Sequence, residues 1–294
     1  MLKGMLPRLS FALLALASLV AAPAALTTPA TLRDAALANP VASPAQTKVV
    51  RGEWASVRHD PALADDIKAE TLAADLLEQE SDKPDGIYPA HVAFTLVGLR
   101  PPPSQLSVNP VLRVCPVAEY KSAYGVSPRY VRDTERTVRA LRALLRRQPA
   151  RLPAAVPTLP FPDASDAFHA HVRYLRFRGG RGVAYLTQGQ QDEGLINNQS
   201  VTYEFRGLSD DGRYYVSASL PVAAPFLPAD RDATSADGYT LPQSFDGKNS
   251  ARLRRAYDAY VNRVRLRLAR HAPDRFQPSL RLYDAFLSSL DTNN

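Results

Sequence analysis

The stretch from Phe168 to Leu220 constrains this fold more than any other part of the chain. Phe168–Arg178 and Val183–Gln188 flank Gly179-Gly180, a pair suited to a hairpin turn that needs positive φ. Val201, Tyr203 and Phe205 then alternate with Thr202, Glu204 and Arg206, and Ser209-Asp210-Asp211-Gly212 turns the chain into Tyr214–Leu220. Alternation with a period of two, broken by turn residues, predicts four successive strands in an antiparallel meander. One apolar face of such a meander needs a cover. Two amphipathic helices are predicted to supply it. In Ser250–Arg270, Leu253, Tyr257, Tyr260, Val264 and Leu268 recur every three or four residues, and Ser279–Leu290 carries Tyr283, Phe286, Leu287 and Leu290. The expected class is α+β, an antiparallel β-meander packed on one face by amphipathic helices.

Upstream, His59-Asp60-Pro61 reads as a helix start with Asp60 as N-cap, and Leu63, Ile67, Ala74 and Leu77 follow on one face. His91–Leu99 is strand-like and Pro101-Pro102-Pro103 ends it, since proline cannot donate to a ladder. Val111–Val117 is a second strand and contains Cys115. Val131–Gln148 is a helix with Val138, Leu141 and Leu145 as its stripe, and Arg151–Pro162 is a proline-rich connector. No unit of 20 to 50 residues repeats.

Residues 1–24 have the three parts of a secretory signal peptide. Lys3 and Arg8 precede an apolar Leu9–Val20, and Ala22-Pro23-Ala24 offers small residues before a cut near Ala24. Residues 25–47, rich in Ala, Pro and Thr, are expected to form a flexible tether, and 48–294 a single α+β domain. The chain is thus expected to be exported, to the periplasm or beyond, with no transmembrane segment in the mature part. A hydrophobic share of 45% against 22% charged residues favours a packed core over disorder. A single Cys excludes an internal disulfide framework and a four-cysteine zinc site. The net charge is +7, or +5 once Lys3 and Arg8 are removed. The preferred reading of a charge of this size is ordinary solubility; outside the cytoplasm it otherwise points to an anionic envelope polymer, lipid headgroups or another envelope protein as partner, rather than to nucleic acid.

A longer string of motifs carries a resemblance. Tyr174-Leu175-Arg176-Phe177, Gly182-Val183, Leu186-Thr187-Gln188, Ile196-Asn197-Asn198-Gln199 and Tyr203-Glu204-Phe205-Arg206-Gly207-Leu208 stand in order. Asp211-Gly212-Arg213-Tyr214-Tyr215-Val216, Leu220-Pro221-Val222 and Leu227-Pro228-Ala229-Asp230 follow, with Tyr88-Pro89-Ala90-His91 and Pro116-Val117-Ala118-Glu119-Tyr120 upstream. Over roughly residues 85–230 the chain resembles a family of uncharacterised bacterial secreted proteins, many of them lipoproteins. The resemblance implies export and a compact α+β domain. It carries across no catalytic residue, and this chain lacks the lipid-bearing Cys of many members.

Candidate chemistry is sparse. His169 and His171, two apart on an expected strand, would share a face and offer two imidazoles to a metal, with His91 as a geometric third; structural histidines are the preferred reading, and no metal site is assigned. Asp230, Asp232 and Asp237 lack the glycine and closing glutamate of a calcium loop. There is no Gly-x-Ser-x-Gly elbow, Cys115 reads as buried and inert, and Gly179-Gly180-Arg181-Gly182 reads as a hairpin rather than a phosphate nest, so no cofactor and no catalytic residue is assigned. The one candidate ligand-binding element is the amide-rich loop of Gln188, Gln190, Gln191, Asp192, Glu193, Asn197, Asn198 and Gln199, whose groups donate and accept hydrogen bonds to sugars, to peptides or to the loop's own backbone. Tyr185, Tyr203, Tyr214 and Tyr215 are either a ligand face or core. The arginine-rich Ser250–Arg270 helix is either a solvated face or a dock for an anionic surface. The favoured function is an exported binding or scaffold module of the cell envelope. The alternative is an extracytoplasmic hydrolase using carboxylates such as Asp192 and Glu193, or a His169/His171 metal.

Overall fold

The computed structural model describes residues 47–75, 87–100, 108–123, 128–161, 164–245 and 249–292. The leader, the tether up to residue 46 and Pro101-Pro102-Pro103 lie outside them, and so does Leu77. No helix among the described residues is long and apolar enough to cross a membrane.

A small hairpin comes first: β1 (Lys48–Arg51) pairs antiparallel with β2 (Ser56–His59). The main sheet has eight strands and every pairing in it is antiparallel. Its strands are β3 (Ala64–Leu72), β4 (His91–Leu99), β5 (Val111–Pro116), β6 (Ser165–Asp166), β7 (Ala170–Phe177), β8 (Gly180–Gln190), β9 (Val201–Ser209) and β10 (Tyr214–Pro221). The order across the sheet is β3-β4-β5-β10-β9-β8, with β6 and β7 both pairing the outer side of β8. The meander β7-β8-β9-β10 is therefore present, and the upstream strands extend it through the β5–β10 pair, which matches Cys115 to Tyr215. Helices α1 (Val117–Ala123) and α2 (Pro128–Arg147) follow β5; a short β11 (Ser235–Ala236) and β12 (Tyr239–Thr240) precede α3 (Ser250–Arg270) and α4 (Leu280–Ser288). The class is α+β.

Helices cover both faces of the sheet, which corrects the expectation of one covered face. Ala184, Leu186, Tyr203, Phe205, Val216 and Ala218 pack with Tyr257, Tyr260, Val264 and Leu268 of α3 and with Leu280, Tyr283 and Phe286 of α4. The alternate residues Val183, Tyr185 and Tyr215 pack instead with Val138, Leu141 and Leu145 of α2 and with Tyr120 of α1. Successive side chains on a strand point to opposite faces, so the two cores lie on either side of one sheet. The central strands are buried on both faces, as β9 shows from Val201 to Phe205.

The expected helix after Asp60 is also corrected. Asp60 Oδ1 accepts the Ala62 amide at 2.8 Å and the Asp60 carbonyl accepts the Leu63 amide at 2.9 Å, so Asp-Pro closes a turn and β3 begins at Ala64. As an edge strand, β3 buries Ala64 and Ile67 while Asp65, Asp66, Lys68 and Glu70 stay exposed. Charges of this kind suit a strand with one free edge. At the β7–β8 hairpin Gly179 alone of the glycine pair has positive φ, at 87°. Gly180 belongs to β8 opposite Phe177, where a Cβ would fall on the Phe177 ring.

Candidate functional site: a polar cleft under the connector

On the α2 side of the sheet the polar alternates of the meander line up. Tyr185 and Thr187 come from β8, Thr202, Glu204 and Arg206 from β9, Ser217 and Ser219 from β10 and Arg113 from β5. A solvated face would leave them wet. Here the connector through Ala154, Val156, Thr158 and Leu159 crosses above them and closes a cleft of about 660 Å³. Tyr215 anchors that connector: its hydroxyl accepts the Leu159 amide at 3.1 Å and lies 3.2 Å from the Thr158 hydroxyl. Tyr174 donates to the Pro149 carbonyl at 2.9 Å.

The floor holds a buried ion pair. Arg206 Nη2 lies 2.7 Å from Glu204 Oε2; Arg206 Nε donates to Thr158 Oγ1 at 2.7 Å, and its Nη1 donates to the carbonyls of Phe205 and Ala218. Ser219 donates to Glu204 Oε1 at 2.6 Å. Burial is the largest single influence on the Arg206 charge and works against it, but Glu204 together with Tyr215, Tyr185 and Tyr88 more than offsets it and holds the guanidinium well above its usual range. A desolvated charge is tolerated where its bonds are made, and this one is fully engaged.

Beside it, two hydroxyls have no such provision. Thr187 Oγ1 and Ser217 Oγ are buried at the cleft wall and have no hydrogen-bond partner among the described residues. A buried polar group without a partner costs roughly 1–3 kcal/mol, and most such groups in folded proteins are satisfied. At one end of the cleft Asp166 Oδ2 accepts from His169 Nε2 at 3.0 Å and faces the Tyr185 hydroxyl at 3.4 Å, and burial pushes the Tyr185 phenol well up. At the rim the Arg113 guanidinium lies 4.5 Å above the Tyr88 ring. Two carboxylates, Asp166 and Glu204, balance two guanidinium groups, Arg113 and Arg206, among the lining residues.

The amide-rich loop lies at the end of β8, and its amides bond its own backbone, the 224–227 turn and α3. Gln188 Nε2 donates to the Leu195 carbonyl at 3.1 Å while its Oε1 accepts the Asn197 amide at 3.1 Å. Asn197 Nδ2 donates to the same Leu195 carbonyl and its Oδ1 accepts the Ser200 amide. Asn198 caps the carbonyls of Ala224 and Leu227 and accepts the Ala224 amide. Gln190 donates to the Gly194 carbonyl and accepts from the Tyr257 hydroxyl at 2.7 Å. Glu193 pairs with Arg254 of α3, Gln191 and Asp192 are exposed, and Gln199 is half-buried. The loop thereby fixes the β8 end that presents Thr187 and Gly189 to the cleft.

The histidine pair does not come together. His169 precedes β7 and packs edge-on against Tyr185, on the α2 side. His171, at φ 49°, sits where the β7–β8 register shifts between Ala170 and Arg173, and donates to the Leu268 carbonyl on the α3 side. A bulge breaks the period of two on which the shared face depended. His91 is buried on β4 with Nδ1 2.7 Å from the Pro89 carbonyl. No cluster of three His, Cys, Asp or Glu fit to hold a metal occurs among the described residues. Cys115 is wholly buried, and burial pushes its thiol up to about 12. Tyr203 and Tyr215 are core, Tyr185 walls the cleft, and Tyr214 stacks on Trp54.

The cleft escaped sequence reasoning because its residues come from five strands and a distant connector. The usable signal was the run of polar alternates Thr202, Glu204, Arg206 and Ser217, Ser219, which resembles a solvent face. No family model, curated protein or solved structure matches this chain.

Proposed function

We propose that this chain is an exported binding module of the bacterial cell envelope and that the cleft beneath the connector holds a neutral, hydroxyl-rich ligand of the saccharide class. One observation carries the reading: Thr187 Oγ1 and Ser217 Oγ are buried at the cleft wall and lack partners among the described residues, so a ligand that bonds them relieves a standing cost. The balance of two carboxylates against two guanidinium groups favours a ligand without net charge. Export rests on the three-part leader and on the resemblance over residues 85–230 to a family of bacterial secreted proteins, many of them lipoproteins.

The test is calorimetry of the chain from residue 25 onward with chitobiose, cellobiose, maltotriose and trehalose. At least one should bind, and Thr187→Val and Ser217→Ala should each weaken it about tenfold or more, because a site built to bond a hydroxyl is left unpaired without it. No binding at millimolar sugar, or affinity unchanged in both variants, overturns the reading. Export is checked by sequencing the N-terminus of the periplasmic or secreted form, expected just beyond Ala24.

A hydrolase reading draws no support from Asp192, which is exposed, or from Glu193, which pairs with Arg254; the pair that favours it is Asp166 and His169, hydrogen-bonded at the end of the same cleft. Turnover of a bound saccharide, abolished in Asp166→Asn with binding retained, would favour it.

A further inference from the structure

We propose that the outward face of α3 is a docking surface for an anionic phospholipid bilayer. The helix carries seven arginines and one acid, Asp258, over its 21 residues. Tyr257, Tyr260, Val264 and Leu268 face the core. At 100° per residue Arg252, Arg255, Arg263, Leu266 and Arg270 fall within an arc of about 80° on the opposite side, a row about 27 Å long.

The other arginine-rich helix meets its acids differently. On α2, Arg129 and Arg136 reach Asp133, and Arg139 reaches Glu135, so two acids of the same helix meet three of its seven arginines. On α3 the acids come from elsewhere and serve only part of the set: Glu193 meets Arg254, and Asp237 is shared by Arg263 and Arg267. Arg252, Arg255 and Arg270 have no carboxylate within 4.0 Å among the described residues. Asp237 compensates Arg263 of the row but not Arg252, Arg255 or Arg270, so the strip keeps a net positive charge, and its complement is a negative surface.

An apolar element within the row selects a bilayer over a soluble polyanion. Leu266 is among the few large hydrophobic side chains that stand exposed, at 38%, and it lies between Arg263 and Arg270. Beside it Arg267 sits 4.2 Å above the Phe226 ring, at the edge of an open bay of about 710 Å³. Guanidinium groups level with lipid phosphates would let Leu266 reach the glycerol layer, the arrangement of an interfacial helix. A dissolved polymer of charge has nothing to offer that side chain. This face and the cleft lie on opposite sides of the sheet, so the two readings stand or fall separately.

The experiment is sedimentation with sucrose-loaded vesicles of phosphatidylcholine containing about one-third phosphatidylglycerol, against pure phosphatidylcholine, at low salt and at about 0.5 M sodium chloride. The chain should sediment with the anionic vesicles only, and only at low salt. The triple variant Arg252→Gln, Arg255→Gln, Arg270→Gln should lose about a hundredfold in partition, at unchanged circular dichroism and unchanged cleft binding. Leu266→Ser should reduce partition further without altering its salt dependence. Equal sedimentation of wild type and triple variant, equal sedimentation with neutral vesicles, or none with anionic vesicles overturns the proposal. Binding of a short DNA duplex in the absence of vesicle binding overturns it in favour of nucleic acid.

Discussion

His171 Nε2 donates to the main-chain carbonyl of Leu268 at 2.8 Å, tying the β7 bulge to the last turn of α3. The carbonyl can only accept, so the imidazole carries its proton on Nε2. Arg173 and His271 are the charged neighbours that oppose a second proton, and burial lowers the His171 pKa first of all. His91 is lowered in the same way, chiefly by burial, with Arg113 adding to it. Both groups thus take up protons less readily folded than unfolded, where the ordinary value is 6.5. As pH falls below about 6.5 the unfolded chain binds protons first, so stability is lost on acidification and is full above that value. Melting curves from pH 7.5 to 5 should show the midpoint falling with pH. In His91→Gln/His171→Gln that slope should flatten, whatever the absolute midpoint; an unchanged slope refutes the assignment.

Gln188 separates scaffold from surface in the amide-rich loop. Gln188→Leu removes a donor to Leu195 and an acceptor for Asn197 at a buried position and should cost about 1–3 kcal/mol in urea unfolding. The exposed Asp192→Ala should change stability by less than about 0.5 kcal/mol. Hydrogen exchange at the Asn197 amide should quicken in the first variant alone.

A methyl group at position 182 would fall on the Phe205 ring and crowd the Arg206 carbonyl. Gly182→Ala should therefore destabilise by about 1–3 kcal/mol through overpacking. Phe205→Leu in the same background should recover part of that loss, a coupling measurable by a double-mutant cycle. Strict additivity of the two changes would show that the ring is not what the methyl meets.

Where local pattern decides structure, the sequence was readable. The predicted bounds of α3 match because its apolar residues keep a helical period for about four turns, and β4 matches because Val92, Phe94 and Leu96 alternate without interruption. The error at β3 has a local cause: Asp60-Pro61 suits a turn as well as a helix cap, and an edge strand shows too little apolar alternation to compete with the helical spacing of Leu63 and Ile67. The second covered face was hidden for a different reason. Thr202, Glu204 and Arg206 look like solvent-facing alternates, and only tertiary structure places the connector over them. The amide loop was recognisable as unusual, but whether Gln188 faces a ligand or Leu195 depends on a fold-back that spacing does not encode.

The two unlike faces of β9 also police its alignment. Sliding that strand by one position would drive the carboxylate of Glu204 and the guanidinium of Arg206 in among the rings around Tyr283, and would turn Tyr203 and Phe205 into the cleft. Each half of the error is penalised on its own side. The middle of the sheet is thereby keyed like a lock with two wards, and any slippage the molecule permits is confined to its margins.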